Sequence, residues 1–456
     1  MQLGERYEQW RAEGARHFRE APLFTAQRRL SEMELQARWF AGEFGREFTS
    51  TTGAAVHVVQ FGVWNHAAGP DFAEAAISVD GGAPLRGCIE LDPDARDWER
   101  HGHAGNPDYE QVVLHVFTQS GPEEFFTRTA RHRQVPQVQL DLTQLASEAP
   151  NPQPEAKLGR CVGPLRDLPK DKVREVLLGA AEFRLKRKAA ALARLTELHG
   201  SDEALFQALA GTLGYKSNKF PFTLLAQRLP LRLLMRQKDE AIALLFGVAG
   251  FLSATDLGEF DATTREYLRG LWEKWWPRRA EFERLTVAPA FWKMSGQRPA
   301  NHPQRRLAAL AALIRHWPTV RDLREQCDPV ATRDFFVGLQ DEYWDFHYTV
   351  TSSRAAKRMA LIGESRVTEM LVNVFFPLAI TEQRRHREAY ENLPAPLANR
   401  RVEIAAMRLF GDSAAGRELL KRAAMQQGLL QVYEDFCMQD ASDCAHCRFP
   451  EQLARW

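Results

Sequence analysis

The spacing of the apolar residues changes along the chain, and that change constrains the fold more than any other feature. Between about Thr51 and Leu142 the runs "AVHVVQFG", "EAAISVD", "LRGCIEL", "QVVLHVF" and "VPQVQLDL" are short, β-branched or alternating, and broken by Gly, Pro and Asp. Such runs read as strands. Ahead of them, "SEMELQARWFAGEFGREF" opens with Ser31 and Glu34 in a capping-box pattern. Leu35, Trp39, Phe40, Phe44 and Phe48 follow at helical spacing. The polar, Pro-rich "ASEAPNPQPEAKLGR" (Ala146 to Arg160) then reads as a linker. Beyond it nearly every segment is helical, as in "VREVLLGAAEFRLKRKAAALARL". The expected architecture is an α/β domain over residues 1–150, a mixed sheet with helices, followed by a larger all-α domain over 151–456.

The longest nearly unbroken apolar run, Ala241 to Leu252, falls short of the ~20 residues that span a bilayer. The opening "MQLGERYEQW" lacks a basic start followed by an apolar core, so no signal peptide is expected. The cytoplasm is the expected compartment, with no membrane partner. A net charge of +1 gives no global attraction to nucleic acid. Its distribution is uneven. Residues 1–150 hold 14 Arg, no Lys and 22 acidic residues, a balance of −8, so the remainder carries +9. An acidic first part beside a basic second part suits a carboxylate site next to a polyanion-binding surface.

The stretch "GPDFAEAAISVDGGAPLRGCIELD" (Gly69 to Asp92) is a hairpin pattern. Asp71 opens one strand, "DGG" permits the positive φ of a turn, and the return strand runs to Leu91. Alternation places Cys88, Glu90 and Asp92 on one face. Strands lie ~4.8 Å apart, so Asp71 comes close to Glu90 if the register permits. Two carboxylates at ~4 Å repel by ~4 kcal/mol at an effective dielectric near 20. Protonation of one, or a hard divalent cation such as Mg²⁺ or Mn²⁺, relieves that repulsion.

This arrangement resembles the PD-(D/E)XK nuclease superfamily, in which a helix supplies a Glu, one strand a Pro-Asp, and the next strand Glu-x-Lys. Pro70-Asp71 and Glu90 match, while Asp92 stands where the lysine is expected. The resemblance implies a restriction-endonuclease-like first domain. It also implies a metal set of Glu32, Asp71, Glu90 and Asp92, with Asp92 as a ligand or as the lysine's replacement. His101, His103 and His115 follow the hairpin at once, and histidine serves as base, ligand or phosphate contact. They are assigned to orienting water or phosphate, so the catalytic set is Asp71, Glu90, Asp92, His101, His103 and His115. Over nearly the whole chain the sequence is similar to the bacterial family filed as domain of unknown function (DUF) 2851. Gly62, Asn65, Gly69 to Phe72, Glu90, Asp97-Trp98, His101 to His103, Tyr109 and His115 carry that likeness, which brings no established activity with it.

Cys437, Cys444 and Cys447 form Cys-x6-Cys-x2-Cys near the end of the chain. The spacing resembles the start of the iron–sulfur loop of endonuclease III-type DNA glycosylases. The fourth cysteine of that loop is absent, and Cys161 is the candidate for its place. Zinc takes the same thiolates in tetrahedral form. Basic groups interleaved with aromatics, in "LGYKSNKFPF" and "RPANHPQRR", nominate Lys216, Lys219, Arg298, Arg305 and Arg306 for nucleic-acid phosphates. The competing assignment is core tryptophans with arginines capping helices. The expected function is metal-dependent hydrolysis of DNA or RNA. The alternatives are a nucleic-acid-binding protein on a degenerate nuclease fold and a protein–protein interaction scaffold.

Overall fold

The computed structural model describes residues 3–15, 31–65, 69–121, 125–142, 163–166, 168–252, 260–295, 298–379, 385–396, 399–411, 413–437 and 449–456. The Pro-rich linker, Cys161, Cys444 and Cys447 lie outside the described residues.

Helix α1 spans Leu3–Ala15 and α2 spans Glu32–Phe40. The sheet strands are β1 (Glu47–Thr49), β2 (Ala55–Gln60), β3 (Val63–Trp64), β4 (Phe72–Val79), β5 (Leu85–Asp94), β6 (Val112–Gln119) and β7 (Gln137–Gln139). Their order is β1-β2-β4-β5-β6-β7, with β3 added to β4. The first pairings are antiparallel, whereas β5–β6 and β6–β7 are parallel. The sheet is therefore mixed, and the larger region after it is helical, as the change of spacing predicts.

Five local features set the site. Ser31 accepts from the Glu34 N–H while Glu34 reaches back to the Ser31 N–H, so the capping box forms and fixes where α2 begins. At the hairpin tip, Asp80 and Gly81 take φ of 49° and 70°, the left-handed turn that "DGG" permits. The pairing of β4 with β5 slips between Phe72 and Ala75, where Glu74 has φ 55°. That bulge lies just after Asp71, and bulges re-aim neighbouring side chains. A second slip separates Cys88 from Ile89, just before Glu90. A Cβ at Gly87 would meet the Gln111 carbonyl oxygen at 2.2 Å, so only glycine lets the connection into β6 close over β5 there.

The short helix α3 (Asp97–Arg100) follows β5. Three long helices matter next: α4 (Lys170–His199), α5 (Ser201–Leu213) and α6 (Tyr215–Arg228). One continuous core runs from Leu35, Trp39 and Phe40 through the sheet residues Val58, Phe72 and Ile89 to Phe206, Phe222 and Phe246. The boundary near residue 150 therefore does not separate two independent cores. Nor does α1 belong with the sheet. Its Tyr7 and Trp10 pack with Val176 and Phe183 of α4 and with Phe449 and Trp456 at the chain end. Its position ahead of the strands suggests sheet membership, but its aromatic face finds the helical layer instead. Among the described residues no helix is long and apolar enough to cross a membrane.

Candidate metal centre

The carboxylates of the hairpin meet at its open end. The Asp71 N–H donates to Glu90 Oε2 at 2.9 Å, and the Leu91 N–H donates to Asp71 Oδ2 at 3.1 Å. Each carboxylate is thus anchored by the backbone of the opposite strand. Helix α2 packs against β5 and brings Glu32 to the same place. The Gln36 amide, one turn along, donates to Glu32 Oε1 at 3.1 Å and also hydrogen-bonds Asp71. Glu32 is exposed, Asp71 half-buried, and Glu90 and Asp92 are buried.

Burial is the main reason that Asp71 and Glu90 titrate well above the usual carboxylate range. Repulsion adds to it, from Glu90 and Glu32 at Asp71 and from Asp92 and Glu32 at Glu90. Glu32, although exposed as a residue, is pushed up as well, by desolvation of its carboxyl against the cluster first and by Asp92 second. A desolvated group of like charges disfavours its own ionisation, so the cluster gains from a cation.

The histidines complete the site. His101 caps the C-terminus of α3, and Gly102 at φ 76° turns the chain so that His103 points back. Their ring centroids lie 5.4 Å apart. His101 Nδ1 is 3.3 Å from Asp92 Oδ1, and His103 Nε2 is 3.2 Å from Glu90 Oε1. One ring nitrogen of each and one oxygen of Asp92 all lie within 4.8 Å of one another. His103 stacks on Tyr109 at 3.9 Å and meets the edge of Trp98, which holds the ring in place. Burial lowers the pKa of His103, favouring the neutral imidazole. This donor set of carboxylate oxygens and imidazole nitrogens fits a divalent first-row cation.

His115 differs from its expected role. It pairs with Glu90 across the parallel β5–β6 register and is fully buried. Its Nε2 lies 3.2 Å from Asp92 Oδ2 and its Nδ1 2.6 Å from Thr127 Oγ1. Burial on that scale leaves no route to water or phosphate, so His115 positions Asp92. Thr127, Gln36 and Tyr109 also belong to the site, although the sequence does not assign them to it. Of these, Gln36, four residues after Glu32 on α2, is the one that helical spacing could have found.

The helical part also reaches the site. The Gln227 amide at the end of α6 donates to the Ala37 carbonyl of α2 at 3.1 Å. Next to it, Arg228 stacks over Trp64 at 5.2 Å and donates to the Leu285 and Thr286 carbonyls at 3.1 Å each. Burial lowers the pKa of Arg228 to about 10, against the pull of Asp71 and Glu32. The segment that Arg228 holds carries the exposed Arg284, whose charge acts on Glu90 and Tyr109.

The basic residues nominated for phosphates divide. Lys216, Lys219 and Arg298 are exposed. Arg305 and Arg306 are not, which corrects their assignment. Arg305 donates to the carbonyls of Trp344, His347, Met359 and Ala360. Arg306 donates to the carbonyls of Leu361 and Ala300, to Asn301 Oδ1 and to the Tyr215 hydroxyl. Both guanidinium groups serve the interior. Of the four nominated cysteines only Cys437 is described, half-buried at the end of the π-helical turn Tyr433–Cys437.

The family model described as "Protein of unknown function (DUF2851)" matches residues 32–399. No curated protein and no solved structure matches the chain.

Proposed function

The chain belongs to the DUF2851 family, and from its site we propose a metal-dependent nuclease that hydrolyses phosphodiester bonds of DNA or RNA. The observation that carries this reading is the meeting of Glu32, Asp71, Glu90 and Asp92. They come from a helix, a strand and its antiparallel return strand, the plan of the PD-(D/E)XK superfamily that the hairpin resembles. A divalent cation, when bound, offsets the carboxylate charge, acidifies a water and polarises a phosphate.

Each residue has a distinct task in this reading. Asp71, Glu90 and Asp92 hold the ion. Glu32 stands at the exposed mouth with a raised pKa, which suits an outer ligand that accepts a proton from water. His101 and His103 border the ion, and His115 holds Asp92. No lysine follows Glu90, and the cation beside the phosphate is instead Arg284, presented from the helical part. Exposed Lys216, Lys219 and Arg298 extend the positive surface for the polyanion.

Labelled DNA and RNA incubated with Mn²⁺ or Mg²⁺ test the reading. Cleavage by the wild-type chain that is lost in Glu90→Gln supports it, and intact substrates under both ions end it. Asp92 in the lysine position favours one second reading, a degenerate nuclease that binds nucleic acid without cutting. Salt-sensitive binding without cleavage selects that reading.

A further inference from the structure

Asp92 turns its two carboxylate oxygens to opposite sides. Oδ2 faces the buried His115 at 3.2 Å, and Oδ1 faces the half-exposed His101 at 3.3 Å. Behind Oδ2 stands a directed chain of donors. The Gln137 amide donates to Thr127 Oγ1 at 2.9 Å, and Thr127 Oγ1 lies 2.6 Å from His115 Nδ1. A neutral imidazole carries one ring proton. With Nε2 against a carboxylate, that proton belongs on Nε2, so the threonine hydroxyl donates to Nδ1. Every donor in the chain then points toward Asp92. Oδ2 is occupied from below and Oδ1 is left to the open side. Metal-ligating carboxylates are oriented by this kind of outer hydrogen bonding.

Glu90 is arranged similarly around His103. Its Oε2 accepts from the Asp71 N–H at 2.9 Å, which leaves Oε1 to meet His103 Nε2 at 3.2 Å. The ring itself is fixed between Tyr109 and Trp98. His101, by contrast, has room to rotate, with 47% of its side chain exposed.

We propose that His101 and His103 join Asp92 as ligands of this ion, beyond bordering it, and make the site selective for a divalent transition cation of the Mn²⁺–Zn²⁺ series over Mg²⁺. Mg²⁺ prefers an all-oxygen octahedron and gives up its water reluctantly. Two imidazoles and one carboxylate favour the later first-row ions, and affinity rises along that series. Ligands ~2.1 Å from a tetrahedral ion stand ~3.4 Å apart. The present spread lies within 4.8 Å, His101 Nδ1 already stands 3.3 Å from Asp92 Oδ1, and the half-exposed His101 has room to adjust further. The proposal shares its site with the nuclease reading and rests on that reading only for the use made of the ion.

Mn²⁺ is the probe, because thiolates select softer ions and the C-terminal cysteines will not compete for it. Mn²⁺ titrated into the full chain and followed by electron paramagnetic resonance should bind at one equivalent. Pulsed spectra should show ¹⁴N hyperfine coupling from imidazole. Competition should place Mg²⁺ at least tenfold weaker. His101→Ala, at a half-exposed position, should weaken Mn²⁺ at least tenfold and reduce the nitrogen coupling. His103→Gln should do the same. Mn²⁺ held without nitrogen coupling, or Mg²⁺ held equally well, overturns the proposal. Cleavage without nitrogen coupling would end it and spare the nuclease reading. Nitrogen-coupled Mn²⁺ with no cleavage of DNA or RNA would do the opposite.

Discussion

Asp71 and Glu90 are tied to each other through the backbone: the Asp71 N–H donates to Glu90 Oε2, and Asp71 Oδ2 accepts from the N–H of Leu91, the residue after Glu90. Two acids on neighbouring strands are thus held close by bonds that do not neutralise either. Ionised together, the two acids oppose each other, and a cation between them would relieve that repulsion.

Asp71→Asn should expose that repulsion. Asparagine keeps an oxygen for the Leu91 N–H and removes one charge. A tenfold change in an ionisation constant corresponds to ~1.4 kcal/mol, so relief of part of the repulsion should stabilise the metal-free protein by roughly 1 kcal/mol. Thermal unfolding in EDTA would show it as a raised Tm. Mn²⁺ binding by calorimetry should weaken at the same time. A lowered Tm together with unchanged Mn²⁺ affinity would mean that Asp71 acts as an ordinary turn residue.

The pH dependence has a definite sign. Asp71, Glu90 and Glu32 all titrate above their ordinary range in the folded chain, mainly through burial. The folded state therefore holds protons more tightly than the unfolded state. Their contribution to stability is complete below about pH 4, the ordinary carboxylate range. It is lost as pH rises through the folded values. In EDTA, Glu90→Gln should accordingly gain stability relative to wild type as pH rises above the ordinary carboxylate range of about 4. Mn²⁺ affinity should run the other way and rise with pH, because protons and metal compete for the same oxygens. Denaturant titrations of both proteins over a pH series, paired with Mn²⁺ calorimetry, check both slopes.

Much of this site was legible in the sequence. Ser31 and Glu34 announce the start of α2, and "DGG" announces the hairpin, because caps and turns are local chemistry. Alternation along β5 is local too, which is why Glu90 and Asp92 could be assigned to one face. His115 was placed in the site, but its direct pairing with Asp92 was not legible. His115 reaches it from the neighbouring parallel strand, through a register that no short-range pattern encodes. Arg305 and Arg306 mislead for a related reason. An arginine-rich helix start beside aromatics reads as a phosphate surface until the carbonyls of Trp344, Met359 and Leu361 are seen around it.

That contrast between buried and exposed cations is measurable. Arg305→Ala would leave four carbonyls without their donor in a buried place, at ~1–3 kcal/mol for each one left unsatisfied. It should lower Tm sharply or prevent folding. Lys219→Ala, at an exposed position, should leave Tm within the small range of surface changes. If Lys219 touches phosphate, the log–log salt slope of duplex binding should flatten by about one unit. Fluorescence anisotropy over a salt series, with thermal unfolding of each variant, separates the two behaviours. An unchanged slope in Lys219→Ala would remove that residue from the proposed interface.

Arg284 bears most directly on how the helical part serves the hairpin. It rides on the segment that Arg228 holds through the Leu285 and Thr286 carbonyls, and its charge favours the ionised form of Glu90. If Arg284 meets the phosphate of a bound substrate, Arg284→Ala should lower cleavage at least tenfold. Mn²⁺ should still bind, since the ligand atoms are untouched. Arg284→Lys should recover part of the loss, because a lysine supplies the charge without the planar fork. Arg228→Ala should also depress cleavage, but by loosening residues 283–287, so it should lower Tm as well. Single-turnover cleavage in Mn²⁺, with metal affinity and Tm for each variant, distinguishes the two. Equal loss in Arg284→Ala and Arg284→Lys, with Mn²⁺ binding also lost, would place Arg284 in the support of the carboxylates and leave the phosphate without a cation from the helical part.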